Sequence, residues 1–206
     1  MNCIIAAIVV VTAAFQAQPS QVPRSDDFRF SFKNVFEPDA EKYLVEMVNI
    51  KRFREEFFPH AKYYGVDKDN TQARLTYRFN FEKPIAKARL RANLMTCNFE
   101  NNKNQGRGQG YGSVWCSTDG HQWVQLLDCP IPKNGVLLEN PVNQILPDIF
   151  KGQKTIWLQI RMFSRDRTDQ DYCVAQFCRL DEVPKDFNAP IFDLRVTYQP
   201  YPDAKP

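Results

Sequence analysis

Histidine is almost absent: His60 and His121 are the only two in 206 residues. There is no Cys-x-x-Cys pair and no Cys/His cluster, so the ligand spacings of a structural zinc site are missing. Nothing in the order of residues sets either histidine beside a particular Ser or Cys, and no nucleophile, base and orienter can be read together. Carboxylate pairs that cleave glycosides are spaced in space rather than in sequence, so that chemistry stays open while the non-catalytic reading leads. The charge balance is also nearly flat, with 27 basic against 24 acidic side chains and a net +3. A balance so even supplies no broad field for nucleic acid or an anionic membrane. Repeats of fixed period are absent, and no strand alternates with a long helix as a parallel sheet requires.

No apolar run reaches the ~20 residues of a membrane span. The longest, Ile4 to Phe15, is followed by polar Gln16 and has the length of a signal-peptide core, with cleavage sites at Ala13, Ala14 or Ala17. The n-region carries no Lys or Arg, so an uncleaved N-terminal anchor is the alternative. The expected organisation is a signal peptide over 1–17, a Pro- and Ser-containing lead-in over 18–27, one domain over 28–199 and a Pro-rich tail over 200–206. Location is then secreted, periplasmic or extracellular, with no span in the mature chain.

What the chain has in quantity is alternation. Phe28, Phe30 and Phe32 alternate with Arg29, Ser31 and Lys33, and Leu75, Tyr77, Phe79 and Phe81 with Arg74, Thr76, Arg78 and Asn80. The same period of two runs through Ala86 to Leu94, Ile156 to Phe163, Cys173 to Phe177 and Phe192 to Tyr198. Trp157 and Phe163 give the 156–163 run bulk on both faces, as in a central strand. These patterns predict an all-β, antiparallel sandwich or jelly roll. The 39–57 region fits two readings, one short helix behind Pro38 and Asp39 or a strand edge through Leu44, Glu46, Val48 and Ile50.

Without the leader, Cys97, Cys116, Cys129, Cys173 and Cys178 remain, an odd number that allows at most two disulfides. A continuous strand separates Cys173 from Cys178 by roughly 16 Å, too far to bridge.

Ser113 to Ser117 and Trp123 to Leu127 read as a hairpin around Thr118-Asp119-Gly120. Asp119 suits capping of backbone N–H groups, Gly120 a positive φ, and Trp123 packing under the turn. The string Ser117-Thr-Asp-Gly-His-Gln-Trp123 resembles the Ser-x-Asp-Gly-x-x-Trp hairpin of discoidin-type, galactose-binding-like jelly rolls. It is also similar to the sialidase Asp-box, which has one more residue between Asp and Gly. The layout from Thr71 to Tyr198 resembles the same jelly rolls, although no terminal cysteine pair of the discoidin type is present. The resemblance implies a structural role for Ser117, Asp119, Gly120 and Trp123.

Two polar segments carry the candidate ligand residues. Asn98 to Gly112 reads as a Gly, Asn and Gln-rich loop, with Arg107, Gln109 and Tyr111 offering donors and a stacking ring. Ser164 to Tyr172 adds Arg165 and Tyr172, and its Asp166, Asp169 and Asp171 are oxygen donors of the kind calcium takes. Arg165 and Arg167 dilute that negative charge, so no metal is the leading expectation. Lys87, Arg89 and Arg91 offer phosphate or an anionic glycan a place, or form an ordinary solvent face. The expected function is an exported, non-catalytic module for carbohydrate or another cell-surface ligand. The alternatives are a structural protein docking a protein partner and, less favoured, a glycan hydrolase.

Overall fold

A computed structural model describes residues 27–54, 62–99, 108–167, 175–177 and 191–199. Twelve strands, all paired antiparallel, make up nearly all of its regular secondary structure. They are β1 (Phe28–Phe32), β2 (Leu44–Val48), β3 (Ile50–Arg54), β4 (Lys62–Val66), β5 (Ala73–Asn80) and β6 (Ile85–Asn98), followed by β7 (Gln109–Ser117), β8 (Val124–Cys129), β9 (Val136–Ile145), β10 (Thr155–Arg165), β11 (Ala175–Phe177) and β12 (Phe192–Tyr198). No α-helix occurs among the described residues, and none is long and apolar enough to cross a membrane. The all-β expectation holds.

Over 39–54, the described part of the 39–57 region, the strand reading is the one found. A single 3-10 turn, Pro38–Glu41, leads into β2 and β3, which are separated by Asn49 at a φ of 52°. Val45, Val48 and Ile50 are β-branched and lose side-chain freedom in a helix, whereas β2 gains pairing along β5.

The strands form two layers. One runs β2-β5-β10-β7-β8. In the other, β6 pairs with β9 on one side and, on the other, with β12 along its first half and β11 along its second. Beyond these lie β1, paired with β12, and then β4 and β3 beyond β11. The layers are stitched at one point, where Asn98 of β6 meets Gln109 of β7.

Phenylalanine fills the space between them. Phe30 lies 5.4 Å from Phe79, and Phe192 5.6 Å from Tyr77 with the rings stacked, so β1 and β12 pack directly on β5. Tyr77 is fully buried and donates its hydroxyl to the Ala40 carbonyl at 3.0 Å, which anchors the 3-10 turn to the core. Each such ring contributes about 2–3 kcal/mol by burial, and edge-on contacts add to it.

Two segments depart from the expectation. β9 was not legible, because Glu139-Asn140-Pro141 interrupts its alternation; Pro141 is tolerated because, among the described residues, β9 pairs only with β6 and is an edge strand. The connection expected from Asn98 to Gly112 is also shorter, since β6 reaches Asn98 and β7 begins at Gln109. A Cβ on Gly112 would stand 2.8 Å from a Leu94 methyl, so this glycine permits close approach of the two layers. The leader, the lead-in, the Pro-rich tail, Cys173 and Cys178 lie outside the described residues.

Candidate functional site

The outer surface of the β2-β5-β10-β7-β8 layer gathers all three tryptophans of the chain. Odd-numbered residues of β7 and β10 face outward, so Tyr111, Ser113 and Trp115 lie beside Phe163, Arg161 and Gln159, and Trp157 lies opposite Ser117 and Arg78. Trp123 sits just before β8, at the end of the turn that follows Ser117. Trp115, Trp123, Trp157, Tyr111 and Phe163 are half-buried. Their rings are therefore neither core nor fully solvated.

Guanidinium groups lie between these rings. Arg161 Cζ is 4.5 Å from the Trp115 centroid and 5.8 Å from that of Trp123, while Arg78 Cζ is 4.9 Å from Trp157. Such contacts are each worth about 0.5–2 kcal/mol and hold the rings in place. A polar chain crosses the same surface. Arg161 Nε donates to Gln159 at 2.6 Å, Gln159 to Thr76 at 3.1 Å and Thr76 to Glu46 at 2.9 Å, with Arg74 forked onto Glu46 at 2.6 and 3.0 Å. The Arg74 hydrogen bonds hold the Glu46 carboxyl below its usual range, although burial opposes them. Burial, together with the charge of Arg74, lowers Arg161.

The turn after β7 closes one end of this surface. Ser117 Oγ accepts from the N–H groups of Asp119 and Gly120 and donates to the Asp119 carboxylate at 2.9 Å. That carboxylate accepts from the N–H groups of His121 and Gln122 at 2.8 and 2.9 Å. The backbone N–H groups of Gln122 and His121 push Asp119 down to about 2. Gly120 has a φ of 80°, and a Cβ there would lie 3.1 Å from Trp157 Cε2. The ring packed against the turn is thus that of Trp157, while Trp123 stands by Arg161.

Three of the five ligand residues expected from sequence lie at the opposite end. Tyr111 pairs across to Phe163 and its hydroxyl donates to Asp128 at 2.9 Å; burial, and then the Asp128 charge, raises its pKa. Gln109 pairs with Arg165, which donates to its amide oxygen at 2.5 Å. Arg107 and Tyr172 lie outside the described residues, as do Asp169 and Asp171 of the calcium candidate. Asp166, the remaining member, is exposed, has a φ of 60° and stands 3.9 Å from Arg165. Among the described residues no group of three or more His, Cys, Asp or Glu could hold a metal. Burial pushes the Cys116 and Cys129 thiols up to about 12, which keeps both protonated at neutral pH.

Sequence reasoning missed Trp115, Trp157, Gln159 and Arg161. The signal was present in parity: 111, 113 and 115 fall on one face of a strand and 157, 159, 161 and 163 on one face of another. Only the pairing of β10 with β7 brings the two faces together.

No family model matches the chain, and no curated protein matches it. Solved structures do. A structure of infectious bursal disease virus, Gt strain, is similar at 10% identity and a TM-score of 0.36, covering 91% of this chain and 36% of that one. An exo-beta-1,3-galactanase from Phanerochaete chrysosporium, solved with galactose, is 14% identical with a TM-score of 0.33, covering 84% of this chain and 30% of that one. The CBM27-1 module of Caldicellulosiruptor saccharolyticus, solved with mannohexaose, is 16% identical with a TM-score of 0.35 over 72% of this chain and 86% of the module. The chain thus spans about a third of the length of the first two.

Proposed function

We propose that this protein is an exported, non-catalytic binding module of the galactose-binding-like, discoidin-type kind that holds carbohydrate on the tryptophan-bearing sheet surface. The observation that carries the reading is the convergence of every tryptophan in the chain on one half-buried outer face, interleaved with amides and guanidinium groups. Sugar rings present apolar C–H faces that stack on aromatic rings and hydroxyls that take amide and guanidinium partners, and this surface offers both within neighbouring rows. Tyr111 and Trp115 are the contact rings; Gln109, Arg165 and Gln125, which pairs with Trp115 from β8, are the polar contacts, and Trp123 supports Arg161. Export follows from the apolar Ile4–Phe15 segment.

A glycan-array screen followed by titration calorimetry tests this. Tyr111→Ala and Trp115→Ala each weaken binding by about 1–2 kcal/mol with the fold intact, whereas Trp123→Ala lowers thermal stability. A wild type that binds no glycan sinks the reading, and a stable Trp123→Ala that alone loses binding reverses the roles.

A second reading has its own observation. Edge strand β9 exposes Val136, Leu137 and Leu138 in succession, with Ile131 also exposed. A row of apolar side chains on an unpaired edge suits docking of a protein partner by strand addition. Leu137→Lys would then abolish complex formation and leave glycan binding unchanged.

A further inference from the structure

The opposite outer surface is built from different residues. On β1, β12 and β6 the outward positions place Arg29, Arg195 and Arg89 in one cross-strand row, since Arg29 pairs with Arg195 and Arg195 with Arg89. The next row holds Ser31, Asp193, Arg91 and, on β9, Asn143; on the other side Thr197 pairs with Lys87. Strands lie about 5 Å apart, so like charges here are direct neighbours, an arrangement that destabilises a sheet unless something compensates it.

The internal compensation is partial. Asp193, 5% exposed, accepts from Arg29 at 2.9 and 3.2 Å and from Arg195 Nε at 2.9 Å, with Arg195 Nη2 at 2.8 Å. Arg89 donates twice to the neutral Asn143, at 2.9 and 3.2 Å. Arg91 and Lys87 have no hydrogen-bond or ion-pair partner among the described residues. Of the five cations, Asp193 pairs only with Arg29 and Arg195. A cleft of about 200 Å³, lined by Arg89, Arg91, Asn143, Asp193 and Arg195, opens between them. Asp193 and Asn143 fix the guanidinium planes and leave part of each fork unused, so the donors are oriented before a ligand arrives.

We propose that this surface is a second binding site, for a sulfated polysaccharide. Arginine forks match the paired oxygens of sulfate. The cationic row continues across three strands, about 10 Å, which is more than one oxyanion fills and suits groups repeated along a chain. No aromatic residue lies on these outward positions of β1, β6, β9 or β12, so the stacking that single-stranded nucleic acid uses is missing. In the rows that hold the five cations, Ile145, opposite Arg89, is the one large apolar side chain.

The site is independent of the tryptophan surface, and the experiment keeps the two apart. Heparin serves as the sulfated probe, with duplex DNA and phosphatidylserine vesicles as competing polyanions, at 50 and 200 mM salt. Wild type binds heparin, and binding falls at least tenfold between the two salt concentrations. Arg91→Ala weakens it about threefold to tenfold, the double variant Arg89→Glu, Arg91→Glu abolishes it, and the control Lys68→Glu, Lys133→Glu, at exposed positions in the β4–β5 and β8–β9 connections, leaves it within twofold. Trp115→Ala has no effect on it. The proposal is overturned by absence of heparin binding at 50 mM salt, by equal losses in the control, or by tighter binding to DNA or vesicles than to heparin. Arg91 has no described partner to lose, so a weakened Arg91→Ala with an unchanged melting temperature reads the site rather than the fold.

Discussion

The two outer faces of the sandwich answer the same problem, charge on a sheet, in opposite ways. On the tryptophan side each central arginine has a companion: Arg161 a pair of indoles and an amide, Arg78 an indole, Arg74 a carboxylate. On the arginine side, cations stand beside cations and one buried carboxylate serves two of them. A surface whose charges are internally matched has rings and amides left for a neutral partner. One whose charges are unmatched stores repulsion that an anion relieves.

The largest effect removes the common support. Phe192→Ala takes away a fully buried ring that stacks on Phe32 at 5.0 Å and on Tyr77 at 5.6 Å, beneath both faces at once. Stability falls by about 3–5 kcal/mol in urea unfolding. Next is the clamp at the rim of the tryptophan side, where Arg167 Nε meets Asp69 at 2.5 Å with its side chain 1% exposed, and Ser164 donates to the same carboxylate. Asp69→Ala takes the carboxylate from a buried guanidinium and costs about 3 kcal/mol by the same measurement.

Asp193 sharpens the comparison through pH. Burial opposes its ionisation, but hydrogen bonds from Arg195 and Arg29 prevail and hold its pKa below the usual carboxylate value. A carboxyl depressed in the fold stabilises it above the unfolded pKa of about 3.9 and ceases to do so as pH falls through the folded value. Asp193→Asn is therefore less stable than wild type by about 1–2 kcal/mol at pH 6, and the gap closes towards pH 2. The smallest effect is on the salt dependence of glycan binding at the tryptophan face. Stacking and amide contacts change little between 50 and 200 mM salt, so calorimetric affinities there stay within about twofold, unlike those of the arginine side.

Much of this architecture was legible because alternation is local. Phe28 to Phe32 and Phe192 to Tyr198 announce strands by themselves, and both occur where expected. β9 was hidden by Pro141, a residue that only an edge position excuses. The sites were less legible because each is assembled by register. Tyr111, Gln109 and Arg165 were named singly, yet Trp115, Trp157 and Arg161 became their neighbours only through the pairing of β7 with β10. Lys87, Arg89 and Arg91 stood out as a basic run, but nothing local shows that Arg29 and Arg195, far apart in the chain, line up beside them.

The position of β12 has a consequence for how the molecule is made. It lies between β1 and the first half of β6 and, among the described residues, is the sole pairing partner of β1. The first strand of the fold must therefore wait through synthesis of nearly the whole domain before it finds a neighbour. Pairings at such separation close slowly, and until they close the phenylalanines of β1 and the half-strand from Ile85 to Arg91 remain open to other chains. A nascent chain lacking β12 is then a client for chaperones rather than a smaller folded protein, and nearly all its structure arrives in one late step.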